Sequence, residues 1–137
     1  MGAPPSAMMK KKKTPLILIV EDDPASLLLA STVLEAAGYE VAGSASAEDA
    51  RETLAKRKPA LILMDIGLPG MDGLDFTREL RSKSRTAGIP IVALTGLNMP
   101  LYERSAKAAG CQGFIVKPVS PAVLTTEVRN FLSRGPG

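Results

Sequence analysis

Four short apolar runs in this sequence each end on a side chain able to handle charge. Leu16–Val20 runs into Glu21-Asp22, Ala60–Met64 into Asp65, Pro90–Leu94 into Thr95, and Gly113–Val116 into Lys117. A scaffold that gathers these ends brings three carboxylates beside one hydroxyl and one ammonium. The carboxylates repel: at about 4 Å and an effective dielectric near 20, each pair costs about 4 kcal/mol. Lys117 can offset one charge, and the rest calls for a cation. Oxygen ligands without His or Cys suit a hard divalent ion, so Mg²⁺ (or Mn²⁺) is the expected partner. Such an ion keeps waters and completes its shell with phosphate oxygens, so the set suits a phosphoryl group. Asp65 is the expected nucleophile, because a carboxylate can attack phosphorus and hold an aspartyl phosphate. Lys117 would help neutralise and align the transferring group, and Thr95 would donate to one of its oxygens. Gly67, two residues past Asp65, can offer its carbonyl as a further metal ligand with no side chain in the way.

The elements that must position these groups alternate regularly. After Leu16–Val20, a strand pattern buried on both faces, Pro24 opens a helix with Asp22 or Asp23 near its cap. Leu29, Ala30, Val33, Leu34 and Ala37 keep helical spacing, and Gly38 stops it. Tyr39–Ala42 reads as a second strand. A helix starting at Ser46, with Ala47, Ala50 and Leu54 on one face, ends at Lys58-Pro59. Ala60–Met64 is the third strand, followed by a loop containing Gly67, Pro69, Gly70 and Gly73, then a helix from Leu74 to about Arg81. Strand Pro90–Leu94, a helix from Pro100 to about Ala109, strand Gly113–Val116 and a last helix opened by Ser120-Pro121 complete the pattern. The last helix turns Leu124, Val128, Phe131 and Leu132 to one face. Five βα units imply an α/β fold: a doubly wound, flavodoxin-like five-stranded parallel sheet in the order 2-1-3-4-5. In such sheets ligands sit outside the carboxyl ends of the strands, where the first and third strands are neighbours.

Composition narrows the chemistry further. The 137 residues fit about one domain, with 45% apolar and 23% charged residues, near the globular average. No apolar run approaches the roughly 18 residues of a membrane span. The absence of histidine excludes Ser-His-Asp triads and most zinc and haem sites. One cysteine, Cys111, excludes a disulfide framework within the chain. With no Trp, three Phe and two Tyr, a base-stacking surface is not expected. The net charge of +3 is unevenly placed, because Lys10–Lys13 form one run and no acid precedes Glu21. Setting those four aside from the 17 basic residues leaves one fewer than the 14 acidic ones, a net −1. Residues 1–14 are expected to form a disordered basic tail and residues 15–134 the folded unit. The lysines read as a solvated leader or as a weak anchor for an anionic surface. Leu16–Val20 is too short for a secretory signal, so a cytoplasmic location is expected.

The residues that carry this site resemble a response-regulator receiver domain of two-component signalling. The carriers are Ile19-Val20-Glu21-Asp22-Asp23-Pro24, Leu63-Met64-Asp65 through Gly73, Ala93-Leu94-Thr95-Gly96 and Val116-Lys117-Pro118, and the likeness covers about residues 15–133. It implies that Asp65 accepts a phosphoryl group from a histidine kinase or a histidine phosphotransfer protein. The chain's lack of histidine agrees with a donor on another molecule. The resemblance also implies that Glu21, Asp22 and Asp65 bind Mg²⁺, with Asp22 and Asp65 as direct ligands, and that the Lys117-Pro118 bond is cis. It implies a switch in which Thr95 moves toward the phosphoryl group and Phe114 turns inward. That motion would remodel the face of the fourth helix, fifth strand and fifth helix, with Tyr102 among its contacts. Gly67 and Leu97 occupy the two positions that tune phosphate lifetime in this family.

After the last helix only Ser133–Gly137 remain, so the output is expected to be a contact made by the receiver itself, without direct DNA binding. The likeness is in the style of the stand-alone DivK-type cell-cycle regulators, carried weakly by Leu34–Glu40 and Ala108–Cys111. Such a protein would be a monomer or weak dimer. It would not be an enzyme beyond its own aspartyl phosphorylation and dephosphorylation. A receiver module of a hybrid kinase or phosphorelay, serving as phosphate shuttle or sink, and an unphosphorylated interaction scaffold are the other readings. A haloacid-dehalogenase-type phosphatase would want an acid two residues after Asp65, where Gly67 stands. A nucleotide-binding flavodoxin-like protein would want a glycine-rich phosphate loop, which is absent.

Overall fold

A computed structural model describes residues 14–68, 70–96, 99–117 and 119–134, without the side chains of 99–102 and 134. The expected tail therefore lies outside the described residues apart from Thr14. The elements run β1 (Leu16–Val20), α1 (Pro24–Ala36), β2 (Glu40–Ser44), α2 (Ala47–Lys56), β3 (Leu61–Asp65), α3 (Gly73–Arg81), β4 (Ile91–Thr95), α4 (Met99–Ala109), β5 (Gly113–Val116) and α5 (Pro121–Arg134). The strands pair in parallel in the order β2-β1-β3-β4-β5, the expected flavodoxin-like arrangement.

Because side chains alternate along a strand, the sheet divides the core in two. Leu18, Val20, Ile62 and Met64 pack with Ala50, Leu54, Phe76 and Leu80 on the side of α2 and α3. Ile17, Ile19, Leu61 and Leu63 pack with Leu34, Leu124, Val128 and Phe131 on the side of α1 and α5. The three central strands are buried at every residue, as parallel strands covered on both faces must be.

Local signals place most helix ends. Asp23 caps α1, accepting from the Ser26 amide at 3.0 Å and its hydroxyl at 2.7 Å. Ser46 caps α2 and Asp72 caps α3 in the same way. Gly38 and Gly110 take positive φ where α1 and α4 stop. Several expectations shift, β3 and β4 by one residue each, to Leu61–Asp65 and Ile91–Thr95. The second strand is Glu40–Ser44 rather than Tyr39–Ala42, because its register is set by Leu16–Val20. The second helix stops at Lys56, before Lys58-Pro59. Leu29 and Ala37 do not join the core: Leu29 is 53% exposed and Ala37 is exposed, leaving Leu34 as the fully buried anchor of α1.

One cross-element pair makes the fold acid-sensitive. Arg51 on α2 grips Glu79 on α3 with two hydrogen bonds of 2.7 and 2.8 Å, and its guanidinium lies over the Phe76 ring. That grip, with help from Lys83, holds the Glu79 carboxyl down at about 2. A carboxylate depressed in the folded state stabilises above its unfolded value and loses that contribution as pH falls through its folded value. The window is therefore from about pH 4.5 down to about pH 2. After discounting for solvent screening at this half-exposed pair, the contribution is about 1–2 kcal/mol. Urea melts at about pH 5 and about pH 2.5 should show Glu79→Gln losing that much less stability on acidification than the wild type. Equal losses would mean that the pair does not stabilise the fold.

Candidate functional site

The carboxyl ends of β1 and β3 lie side by side, and the acids expected there meet. Ligand oxygens of Glu21, Asp22 and Asp65 all fall within 4.8 Å of one another. Glu21 is 2% exposed and Asp65 is buried, whereas Asp22 stands in solvent. Lys117 arrives from the end of β5, its Nζ 2.5 Å from Glu21 Oε1 and 3.6 Å from Asp65 Oδ2. One ammonium among three carboxylates leaves the cluster short of positive charge.

The backbone holds these groups in place. The Glu21 amide donates to the Ser44 carbonyl at 2.9 Å, and the Asp23 amide donates to Glu21 Oε2 at 3.1 Å. The Gly67 amide donates to Asp65 Oδ1 at 2.9 Å and so fixes the carboxylate plane. Gly73 packs so close beneath that a Cβ there would sit 2.3 Å from the Asp65 carbonyl oxygen. That contact is with backbone, so the first residue of α3 has to be glycine for Asp65 to keep its place. Thr77 closes the same turn, its hydroxyl donating to the Gly73 carbonyl at 2.8 Å.

Electrostatics follow from burial and charge. Burial pushes the Glu21 carboxyl up, and nearby Asp65 adds to this, outweighing the opposing hydrogen bond from Lys117. Burial alone would lower the Lys117 ammonium. Its hydrogen bond to Glu21 and the charges of Asp65 and Glu21 overcome that and hold it above its ordinary value. The exposed Asp23 carboxyl is lowered by its two hydrogen bonds from Ser26.

The remaining expected residues are placed as follows. Thr95 is buried at the end of β4 beside Val116, and the Lys117 amide donates to its carbonyl at 2.8 Å. Phe114 does not enter the acidic cluster. It is half-buried against the core and pairs in register with Ala93, two residues before Thr95. Leu97, Pro118 with its expected cis bond, and the side chain of Tyr102 lie outside the described residues. The expectations did not include an apolar hollow of about 440 Å³ between α1 and α5, which reaches Lys117 and Glu21. Leu29, Val33, Val119 and Leu124 line it, and Leu28 stands beside Leu29 at 69% exposed. Two adjacent solvent-facing leucines on α1 were the available signal. Among the described residues no helix is long and apolar enough to cross a membrane.

Carboxylates that converge from β1 and β3 beside a lysine from β5 are oxygen ligands for a hard cation and neighbours for a phosphoryl group. Comparisons with known proteins agree with that chemistry. The response regulator receiver domain model matches residues 17–129. The chain is 38% identical over 98 residues to the transcriptional regulatory protein AfsQ1 of Streptomyces coelicolor, covering 72% of this chain but only 42% of AfsQ1. It thus spans less than half the length of that relative. It is 33% identical over 100 residues to the polar-differentiation response regulator DivK of Brucella ovis, covering 73% of this chain and 81% of DivK. The receiver domain of a sensor histidine kinase from Pseudomonas aeruginosa PAO1, solved with a magnesium ion coordinated in its active-site cleft, superposes with a TM-score of 0.77. It is 30% identical and covers 91% of this chain and 99% of that one. The chain belongs to the response regulator receiver domain family of two-component signalling.

Proposed function

We propose that the chain is a single-domain response regulator, a receiver unit over residues 15–134, that takes a phosphoryl group onto Asp65 from a phosphohistidine of a kinase or phosphotransfer protein. The observation that carries this reading is the buried Glu21–Lys117–Asp65 contact set at the shared edge of β1 and β3. Glu21, Asp22, Asp65 and the Gly67 carbonyl would hold a divalent ion, Mg²⁺ or Mn²⁺. The donor set fits, being all oxygen, with three charges offset by one lysine. When bound, that ion supplies positive charge against the carboxylates and the phosphoryl oxygens.

In the transfer, an Asp65 carboxylate oxygen forms the new O–P bond as the donor's N–P bond breaks, and the imidazole leaves with a proton. The Gly67 amide orients the Asp65 carboxylate, and Lys117 is near enough to shift from Glu21 toward the added charge. The Thr95 hydroxyl would donate to a phosphoryl oxygen, drawing the end of β4 inward and letting Phe114 follow. That motion would reach the α4-β5-α5 face, where Val116 and Val123 stand about half exposed for a downstream protein. The donor would dock on α1 over Leu28, Leu29 and the hollow beside them, which reaches Glu21 and Lys117. The match across 81% of DivK favours a receiver that acts through its own surface. The second reading, a receiver module of a hybrid kinase, has its support in the likeness to a kinase receiver.

Incubating the protein with acetyl phosphate and Mg²⁺ should add one phosphoryl group, read by intact-mass spectrometry. Chelation with EDTA should reduce the rate of incorporation by at least about a hundredfold, as expected where charge neutralisation contributes several kcal/mol. No incorporation by folded protein, or incorporation unaffected by EDTA, would refute the proposal.

A further inference from the structure

The buried face of α3 carries Gly73, Phe76, Thr77 and Leu80, the i, i+3, i+4, i+7 spacing of a helix turned to a core. Thr77 is the odd member. It is fully buried where an aliphatic side chain would fill the same place, and threonine is a poor former of a helix only 9 residues long. Its hydroxyl carries a desolvation penalty that an aliphatic residue would not. A polar group kept at a core position against local preference marks a place where function competes with stability. That hydroxyl donates to the Gly73 carbonyl at 2.8 Å. Cys111 Sγ lies 4.0 Å from the same oxygen, and with the hydroxyl proton given to Gly73 the thiol is the donor there.

Gly73 is the residue on which β3, the strand that delivers Asp65, comes to rest. A Cβ on Gly73 would lie 2.3 Å from the Asp65 carbonyl oxygen and 2.7 Å from Ile66 Cα, and its amide donates to the Ile66 carbonyl at 3.3 Å. Backbone meets backbone there, with no flexible side chain between to absorb a shift. We propose that Thr77 is a positioning residue for phosphoryl transfer, holding the Gly73 turn against Asp65 and so fixing the carboxylate that attacks phosphorus. The inference rests on Asp65 being the acceptor. Without the hydroxyl, the Gly73 carbonyl loses a donor and the first turn of α3 relaxes. The loop after Asp65, whose Gly67 amide orients Oδ1 at 2.9 Å, moves with it. Attack on phosphorus is sensitive to such a shift, since a misplacement of about 1 Å costs about a hundredfold. Thr77 is buried behind the Gly73 turn and touches no phosphoryl oxygen, so it acts on the maximal rate and not on the binding of the phosphodonor.

Thr77→Ser and Thr77→Ala test this on the full chain, because both lack the same methyl group and they differ by one oxygen. Alanine is the better helix former, so the variant without the hydroxyl should stay folded. Thr77→Val, which keeps the bulk and lacks the donor, is a second probe. With acetyl phosphate and Mg²⁺ as the probe, Thr77→Ser should incorporate phosphoryl groups within about twofold of the wild-type maximal rate. Thr77→Ala and Thr77→Val should be slower by at least about fivefold, with the half-saturating acetyl phosphate concentration unchanged. The Gly67 amide resonance in a ¹⁵N–¹H spectrum should shift in Thr77→Ala and stay in place in Thr77→Ser. Equal maximal rates for Thr77→Ala and Thr77→Ser, or a loss confined to the half-saturating concentration, would overturn the inference. So would a Gly67 resonance unmoved in Thr77→Ala, whether or not the protein takes up phosphate. Failure of the wild type to incorporate, beside a shifted Gly67 amide in Thr77→Ala, would overturn the acceptor role of Asp65, so the two failures are distinguishable.

Discussion

Asp65→Asn should abolish phosphoryl incorporation altogether while leaving the protein folded. An amide is too weak a nucleophile to attack phosphorus, and nothing else on the β1–β3 edge can replace it. Glu21 is buried and held by Lys117, while Asp22 is exposed and lacks the amide that orients Asp65. The structural cost is small. If the oxygen of the substituted side-chain amide keeps the Gly67 hydrogen bond, its NH₂ faces the Lys117 ammonium now 3.6 Å from Asp65 Oδ2. Against that, one of three crowded negative charges disappears, and Lys117 rests wholly on Glu21. These terms oppose each other and should leave the unfolding free energy within about 1 kcal/mol of the wild type. Intact-mass spectrometry after treatment with acetyl phosphate and Mg²⁺, beside a thermal melt, reads both effects. Incorporation at the wild-type level by a folded Asp65→Asn variant would place the acceptor elsewhere.

Much of this site was legible in the sequence because it sits where a parallel sheet must put it. Once five apolar runs alternate with helical spacing, chain direction and sheet order bring the residues after Val20 and Met64 together. No contact needed to be guessed. The same logic placed Lys117 and Thr95 at that edge. What the sequence hid depends on side-chain direction and on distant partners. Leu29 keeps helical spacing with Val33, yet α1 is rolled so that Leu34 is buried and Leu29 borders the hollow beside Lys117. Gly43 and Ser44 have poor strand propensity, yet they extend β2 because Ile19 and Val20 offer them a ladder. Gly73 looks like one more loop glycine until the Asp65 backbone is seen against it. Arg51 and Arg81 read as surface charges on helices, because nothing periodic announces a partner roughly thirty residues away.

Arg81 carries the largest stability effect expected of any charged residue in the molecule. It ends α3, half-buried, with its guanidinium turned toward the amino ends of β4 and β5. Its Nε donates to the Gly110 carbonyl at 2.9 Å. Nη1 donates to the Ala87 and Ile89 carbonyls at 3.0 and 2.7 Å, and Nη2 to the Gln112 side-chain oxygen at 2.9 Å. That Gln112 oxygen also accepts from the Ile91 amide at 2.8 Å, the first residue of β4. A single planar donor therefore ties the connector after α3, the turn after α4 and the starts of two strands. Gly110 leaves room for the arm, since a Cβ there would lie 2.7 Å from Arg81 Cγ. Arg81→Ala strands several partly buried carbonyls and opens space under the turn, so it should cost about 3–4 kcal/mol. Arg81→Lys supplies one compact ammonium that cannot span the same acceptors, and it should recover less than half of the loss. Urea melts at neutral pH give the comparison. A loss under about 1 kcal/mol for Arg81→Ala, or full recovery by lysine, would show that the fork does not hold the strand ends. Under native conditions the alanine variant should still take a phosphoryl group, because Asp65 is fixed by Gly67 and Gly73 at the other end of the sheet. The two ends of this fold thus separate in experiment: one set of contacts shapes the chemistry, and the other holds the strands that deliver it.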